Sequence, residues 1–575
     1  MYGVGKLGQK RVVIRRQKVR QLLGDSPGLR FLLIPDRYKL SVTFLTPPTC
    51  SELAVFRSLT CLWLFLTAAT AVAETPLHVG IDALLEAQSD APCSPCTDDA
   101  SFVRRVYLDF AGRIPAANET AAFLADSDEH KRRQLVDSLL ASDEFPRRLQ
   151  QLLHVMFMER LGDHEDWQAF LLKAAQENKP WDQLVREILN PDPESPETRG
   201  AAFFYTKRLE NYGQNPVDYP GLVRDVGRLF LGVDVQCAQC HDHLFVDEYK
   251  QVDFQGLFAF VGNTFIRRDV SFPAVGENPL TAELEFTSVF EQVPRQTGPR
   301  LPRGMSVAVP EFAKGEEYLT PPDKKNKTPG VLKFSTLKIL AEQLPRAENE
   351  LFTNNVVNRL WWTMMGRGLV EPLDLHHVDN PPSHPELLEL LADEFVKHQF
   401  DIRWLLRELA LTQTYQRGSA MPEGHAAAST IPDYRAAVER RLSAEQLARS
   451  VLTATGELDR LEPLTASFTA AFANTPRDPE LEFVPSVKAA LFVMNDDAFA
   501  ECLEPREGNL TDQLIKTPDS GKVVDQALLA ILSRPPTSEE RDEFVEYIDG
   551  HADRAAAIQN VVWSLFASTE FCLNH

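Results

Sequence analysis

One cluster of residues in this sequence is suited to cofactor chemistry: Cys237-Ala-Gln-Cys240-His241, which Asp242 and His243 follow directly. A C-x-x-C-H run is the attachment signature of c-type haem, in which two cysteine sulfurs add to the haem vinyl groups and the adjoining imidazole binds the iron. We therefore predict covalent haem c at Cys237 and Cys240, with His241 as the proximal iron ligand.

Two other interpretations of the cluster stay open. Cys237, Cys240, His241 and His243 supply four soft or borderline ligands, enough in number for zinc, although closed zinc sites usually join ligand pairs from separate segments. Alternatively, Cys237 and Cys240 form a disulfide and the histidines only form hydrogen bonds, so that no cofactor is present. In the first case the protein would bind a non-haem metal. In the second case it would be a disulfide-stabilised structural or interaction protein.

The haem interpretation leaves the sixth iron ligand open, because His243 is too close to His241 in sequence to reach the opposite face of the same haem. Met305 lies 64 residues beyond His241, in a loop rich in proline and glycine, where a thioether has a plausible path to the iron. His384 is a second candidate ligand. It belongs to Ser383-His-Pro385-Glu386, which is also a capping-box pattern typical of a helix start.

The elements that position these residues are predicted to be helices. Apolar residues recur at helical spacing through residues 149–157 and again through 181–189. A third helix, predicted from Pro220 to Phe230, runs directly toward Cys237. The sequence thus predicts a mainly α fold in which the motif follows the end of a helix.

Length and composition predict two helical domains. A chain of 575 residues is too long for one compact core. Prolines recur between residues 263 and 335, and the partly alternating Leu284–Phe290 segment favours strand. We predict a helical domain over 74–262, a Pro-rich connector with a few β-strands over 263–335, and a second helical domain over 336–575, which opens with clear helix punctuation.

Residues 1–73 have the character of a leader followed by a signal peptide. They contain 11 Lys or Arg against three acidic residues. An apolar run, 59–66, precedes Ala71-Val-Ala73, the small-x-small form that signal peptidase accepts. We expect cleavage after Ala73, translation starting near residue 53, and export to the periplasm or the extracellular space. No other segment is apolar for long enough to predict a transmembrane helix.

Charge and the remaining motifs limit the function. The whole chain has a formal charge of −22 and residues 1–73 have +8, so the rest carries about −30, which argues against nucleic acid as a partner. Cys93-Ser-Pro-Cys96 lacks a following histidine and predicts a short disulfide or half of a metal site. Cys502 and Cys572 could then form a second disulfide. Beyond the predicted signal peptide, residues 74–575 have no G-x-S-x-G, H-E-x-x-H, Walker or G-x-G-x-x-G motif. The catalytic residues of any enzyme, including one for secreted polysaccharides, are therefore unknown.

Several separate stretches resemble one family: Phe102–Pro115, Val235–His243, Asn358–Trp361, Gly366–Pro372, Pro381–Leu388 and Ser568–His575. The chain resembles the secreted, planctomycete-type cytochrome-c-like family, in which domain of unknown function 1549 precedes domain of unknown function 1553. The resemblance spans roughly residues 100–575 and departs from the family pattern over Glu316–Lys333. It implies a haem-linked role outside the cytoplasm and a redox partner protein.

Overall fold

The computed structural model describes residues 31–32, 41–42, 75–88, 91–211, 213–323, 325, 328–421, 433–477 and 487–575. The predicted leader and signal peptide therefore lie outside the described residues, except for two short strands. These strands, β1 (Phe31–Leu32) and β2 (Ser41–Val42), pair antiparallel in a first compact unit of residues 1–75. The second compact unit comprises residues 76–575 and is described below.

The prediction of a mainly α fold is confirmed. The part of the second unit that precedes residue 263 contains α1 (Leu77–Ala87), α2 (Asp99–Phe110), α3 (Ala117–Ala125), α4 (Lys131–Leu140), α5 (Glu144–Met158), α6 (Glu165–Gln176), α7 (Trp181–Leu189), α8 (Phe203–Arg208), α9 (Tyr219–Val226) and α10 (Gln251–Val261). Helices α5 and α7 contain the two apolar stripes on which the prediction rested.

The helices after residue 335 are α11 (Thr336–Gln343), α12 (Glu350–Met365), α13 (Pro385–Lys397), α14 (Ile402–Ala410), α15 (Gln413–Gln416), α16 (Ala444–Thr455), α17 (Leu461–Phe472), α18 (Val487–Asn495), α19 (Asp497–Leu503), α20 (Leu510–Lys516), α21 (Ser520–Ile531), α22 (Ser538–Gly550), α23 (Arg554–Phe566) and α24 (Thr569–Cys572). Within the described ranges, no helix has both the length and the apolar character needed to cross a membrane.

The predicted connector contains short strands, as expected. They form three two-stranded antiparallel sheets, which pair β3 (Thr264–Ile266) with β4 (Val275–Glu277), β5 (Leu284–Thr287) with β6 (Pro294–Thr297), and β7 (Tyr318–Thr320) with β8 (Val331–Leu332). A further pair joins β9 (Arg440–Arg441) to β10 (Leu573–Asn574) at the end of the chain.

The predicted capping box at Ser383 is wrong. The N-cap residue is His384, and α13 begins at Pro385, although neither Ser383 nor His384 caps the helix through its side chain. The physical reason is that the residue before a proline is disfavoured in helical geometry, so the helix cannot begin before Pro385. The same kind of pattern at Ser443–Gln446 does form a capping box.

Two hydrophobic cores meet at helix α2. The larger core contains buried residues from both 77–261 and 337–434, on either side of the predicted connector. The smaller core is built from 442–571 together with Leu108 and Ile114. Helix α2 gives Val103 to the larger core and Leu108 to the smaller one, and Arg104 donates to the carbonyl of Phe571 at 2.9 Å. Residues 102–115, one of the stretches that resemble the family, are therefore central to the packing of both cores. The domain limits 74–262 and 336–575 stay a prediction.

Candidate functional site

The C-x-x-C-H motif follows a helix that ends in an unusual turn. Helix α9 continues into a single π-helical turn, Gly227–Leu231, and ends at Gly232 in left-handed geometry. The side chain of Asn355 donates to the carbonyl of Leu229 at 2.9 Å, which satisfies one of the freed backbone acceptors. Single π turns are frequent at functional sites, and the predicted position of the motif just after a helix is confirmed.

A network of buried and half-buried charges holds this turn in place. Arg228 contacts Glu159 at 2.6 Å and Asp374 at 2.8 Å, and Arg359 also bonds Asp374. Burial alone would lower the pKa of Arg228, but the carboxylates around it outweigh that effect and raise its pKa. The backbone N–H of Asp234 donates to the carbonyl of Asp374 at 2.9 Å, so the network reaches the segment that enters the motif.

The two cysteines of the motif lie on the surface with free thiols. Cys237–Gln239 forms one 3₁₀ turn, and the sulfurs of Cys237 and Cys240 belong to exposed residues. The amide side chains of Gln251 and Gln255 donate to the carbonyl of Gln239 at 3.4 Å and 3.3 Å, which ties the turn to helix α10. Both cysteines are thus exposed, and the backbone that carries them is held by hydrogen bonds to helix α10.

The two histidines of the cluster differ in the state of Nδ1. In His241, Nδ1 lies 2.6 Å from the carbonyl oxygen of Asp242, which can only accept, so Nδ1 must donate to it. In the neutral ring the lone pair is then on Nε2, the nitrogen able to bind a metal. In His243, Nδ1 accepts the backbone N–H of Phe245 at 3.2 Å and of Val246 at 2.9 Å, which places the ring proton on Nε2. The geometry favours His241 over His243 as a ligand.

The carboxylates beside the motif are structural in two cases. Asp242 accepts the backbone N–H of Gln251 at 2.9 Å, at the start of α10, and lies 3.6 Å from Lys250. Asp253 is buried, and burial raises its pKa despite the guanidinium of Arg300 at 2.9 Å. An acidic run after a helix end is typical of a solvated surface, and the burial of Asp253 departs from that expectation.

Large apolar side chains are exposed around the motif. Phe245 is 84% exposed, and Leu244 beside it is also exposed. Phe290, which is 65% exposed, belongs to the β5–β6 hairpin, and its ring lies 4.7 Å from the ring of His241. The sequence did offer a signal for this hairpin, since apolar residues occupy a turn where polar residues are usual, but the site prediction did not use it.

The two predicted sixth ligands lie in different surroundings. Met305 is 91% exposed, in a loop whose Arg303 contacts Glu248 at 2.6 Å, seven residues beyond His241. His384 is buried, with Nδ1 3.0 Å from the hydroxyl of Ser383 and its ring 5.4 Å from Tyr434. The structure therefore ties the Met305 loop to the segment after the motif, whereas the contacts of His384 are with Ser383 and Tyr434.

Two further histidines near the motif, His376 and His377, were not predicted from the sequence. His376 is buried, and its backbone N–H donates to the carbonyl of Gly232 at 3.0 Å. The ring of His377 lies 5.6 Å from that of Tyr249, which in turn lies 5.9 Å from His243. They come from a loop more than 130 residues away along the chain, and a single sequence carries no signal for such proximity.

The described residues show neither a disulfide nor a metal cluster. Cys93, Cys96, Cys237, Cys240, Cys502 and Cys572 all have free thiols in the structure. Backbone hydrogen bonds from Ser94 to Arg435 and from Thr97 to Gln416 hold the Cys93–Cys96 segment against another part of the chain, and its predicted disulfide is not formed. No group of three or more His, Cys, Asp or Glu side chains in this part of the chain is arranged to hold a metal ion.

Two family models match the chain in the order that the sequence predicted. PSCyt2, a protein of unknown function (DUF1549), matches residues 80–266, and PSD1, a protein of unknown function (DUF1553), matches residues 338–468. No curated protein and no solved structure shows significant similarity to the chain. The first match contains the C-x-x-C-H motif and the preceding π turn. The second contains His384 and also Asp374, which contacts Arg228 of that turn. The chain therefore carries domain of unknown function 1549 followed by domain of unknown function 1553.

Proposed function

We propose that this chain is an exported, cytochrome-c-like protein that binds haem c covalently and transfers electrons. The observation that carries the proposal is the state of His241: its Nδ1 donates to the Asp242 carbonyl and leaves Nε2 free, beside the exposed thiols of Cys237 and Cys240. A backbone partner that fixes one ring nitrogen is the usual means of orienting a metal-binding histidine. The residues present therefore fit the group that the motif implies.

Each residue of the motif has a distinct role in this proposal. Cys237 and Cys240 would hold the haem, each through one thioether bond in which the sulfur joins one vinyl carbon and the thiol hydrogen passes to the neighbouring carbon. This addition needs reduced thiols, which agrees with their free state. His241 supplies the proximal nitrogen. When bound, haem supplies a one-electron couple between ferric and ferrous iron.

The partner proposed for this site is another redox protein in the periplasm or outside the cell. Export rests on the predicted signal peptide, which lies outside the described residues. The charge of about −30 beyond residue 73 favours a partner with a basic surface, because complementary potentials steer transient electron-transfer encounters.

The test is covalent haem in the exported protein. The chain is expressed in a host that has haem-attachment machinery, and the purified protein is examined by haem staining of a denaturing gel and by its pyridine haemochrome spectrum. We expect a stained band that is absent when both Cys237 and Cys240 are replaced by serine. The matched control replaces Cys93 and Cys96, a C-x-x-C pair without a following histidine, and should keep the stain.

An unstained wild-type protein with a correctly removed signal would overturn the proposal. Metal analysis and thiol titration of that same protein would then separate the alternatives. One equivalent of zinc would support the metal site, and two missing thiols at Cys237 and Cys240 would support the disulfide.

A further inference from the structure

We propose that the tip of the β5–β6 hairpin, residues 288–293, forms an apolar wall of the haem site. This inference rests on the proposed function and extends it to residues that lie outside the C-x-x-C-H motif. The tip presents three exposed apolar side chains, Val289, Phe290 and Val293, on the segment that lies against Cys240 and His241.

The hairpin is anchored to the motif through its backbone. The N–H of Val289 donates to the carbonyl of Cys240 at 3.1 Å, and the amide side chain of Gln251 bridges the carbonyls of Thr287 and Gln239 at 3.3 Å and 3.4 Å. The strands below the tip are also fixed, since Thr287 pairs with Pro294 and Phe286 is buried. The position of the tip beside the motif is therefore a built feature of the fold.

The three apolar side chains at the tip are unusual for a solvent-exposed turn. A six-residue turn between strands is usually polar, but here Phe290 is largely exposed and its ring packs on the imidazole of His241. Exposed apolar clusters of this kind usually mark a ligand groove or an interaction site. Contact with the proposed iron ligand identifies the occupant as the flat, apolar ring of the haem.

A second exposed apolar strip follows the motif directly along the chain. Leu244 and Phe245 follow His243 directly, and the backbone N–H of Phe245 donates to His243 Nδ1 at 3.2 Å. His243 is in this way the residue that fixes the strip, which gives it a positioning role without a metal bond. The first strip contacts His241 and the second directly follows His243, and together they would shield a porphyrin edge from water.

The experiment compares haem-loaded variants at the hairpin tip. Phe290→Ala removes the ring that contacts His241, and Phe290→Leu keeps an apolar side chain in its place. Leu319→Ala, which truncates an exposed apolar residue on β7, is the matched control. The measurements are the midpoint reduction potential and the yield of stained haem per unit of protein, with circular dichroism to confirm that each variant is folded.

We expect Phe290→Ala to lower the reduction potential and to reduce the haem yield several-fold, because water near the haem stabilises the more highly charged ferric state. Phe290→Leu should restore most of both values, and Leu319→Ala should match the wild type. An unchanged reduction potential in a haem-loaded Phe290→Ala protein would contradict the proposed role of the hairpin tip. The proposal of covalent haem would be unaffected.

Two other outcomes would also contradict the proposal that the hairpin tip forms a wall of the haem site. A wild-type protein without covalent haem would remove the proposed function and this inference together. An unchanged potential combined with slower electron exchange with a redox protein would assign the hairpin tip to partner docking.

Discussion

Arg208 and Asp225 form a buried ion pair, with Nε and Oδ2 2.7 Å apart, which joins α8 to α9, the helix that leads to the C-x-x-C-H motif. Burial works against the charged carboxylate, but Arg208 and Arg228 outweigh it, so the pKa of Asp225 lies below its usual value. Removing one partner of such a pair leaves an uncompensated charge in the interior. Asp225→Asn should therefore lower the free energy of unfolding by about 3–5 kcal/mol, as measured by urea denaturation.

The control for this prediction is the exposed pair of Arg541 and Asp525, whose Nε and Oδ1 are 2.9 Å apart. Asp525→Asn should change the free energy of unfolding by less than about 1 kcal/mol, since water screens exposed pairs. Equal effects of the two substitutions would show that the buried network does not hold the fold together.

Gly232 permits the chain to turn from the π-helical segment toward the motif. It has φ of +66°, and a Cβ atom there would lie 2.6 Å from Cδ2 of His376 and 2.9 Å from Oδ1 of Asn355. Gly456 also ends a helix, with φ of +82°, but has open space around it. Gly456→Ala should cost about 1–2 kcal/mol of stability from backbone strain alone.

Gly232→Ala should cost at least about 1 kcal/mol more than Gly456→Ala, because the ring of His376 must also move. Thermal and urea unfolding of the two variants measure the difference. Similar losses would mean that the close approach of His376 to Gly232 has no energetic role.

Stability should fall in mildly acidic solution because of His376. Burial, followed by the positive charge of Arg359, lowers the pKa of His376 to about 4 from an ordinary value near 6.5. Between pH 6.5 and 4 the unfolded chain gains a proton at this residue that the folded chain does not. The folded state should therefore lose about 3 kcal/mol as the pH falls through this window, with no further loss from His376 below pH 4.

The measurement is the free energy of unfolding as a function of pH for His376→Gln and the wild type. The variant should show a smaller loss between pH 6.5 and 4, whatever its stability at neutral pH. His551→Gln removes an exposed histidine and should retain the wild-type loss. An equal loss in all three proteins would assign the acid sensitivity to other groups.

Periodicity alone predicted the helices that surround the site, because the 3.6-residue repeat of apolar side chains reports directly which face is buried. Leu149 and Leu153 on α5 are buried at that spacing, as are Trp181 and Leu184 on α7. The same logic placed the motif after a helix. It did not predict the π turn at Gly227–Leu231, because the extra residue in the turn depends on tertiary partners such as Asn355.

The site was predictable only where its chemistry is local in sequence. Cys237, Cys240 and His241 are recognisable because haem attachment requires them at fixed spacing. The hairpin tip at Phe290 and the buried ion network at Asp374 come from segments about 50 and 130 residues farther along the chain. Their approach to the motif depends on packing between elements, for which one sequence contains no signal.

The remaining prediction concerns the sixth ligand. Met305 lies in an exposed loop that Arg303 and Arg300 tie to Glu248 and Asp253, beside the motif, so its thioether is unobstructed. We expect Met305→Leu in the haem-loaded protein to remove the absorption band of thioether-bound ferric haem and to lower the reduction potential, because methionine ligation raises it.

The matched variant is His384→Gln, at the other predicted ligand. The ring of His384 is buried against Tyr434, with Nδ1 3.0 Å from the Ser383 hydroxyl, so this substitution should leave the haem spectrum unchanged. A spectrum that responds to His384→Gln and not to Met305→Leu would reverse the assignment. A spectrum that responds to neither would place the ligand elsewhere, with His377 the next residue to replace, because its ring packs on Tyr249, which also contacts His243.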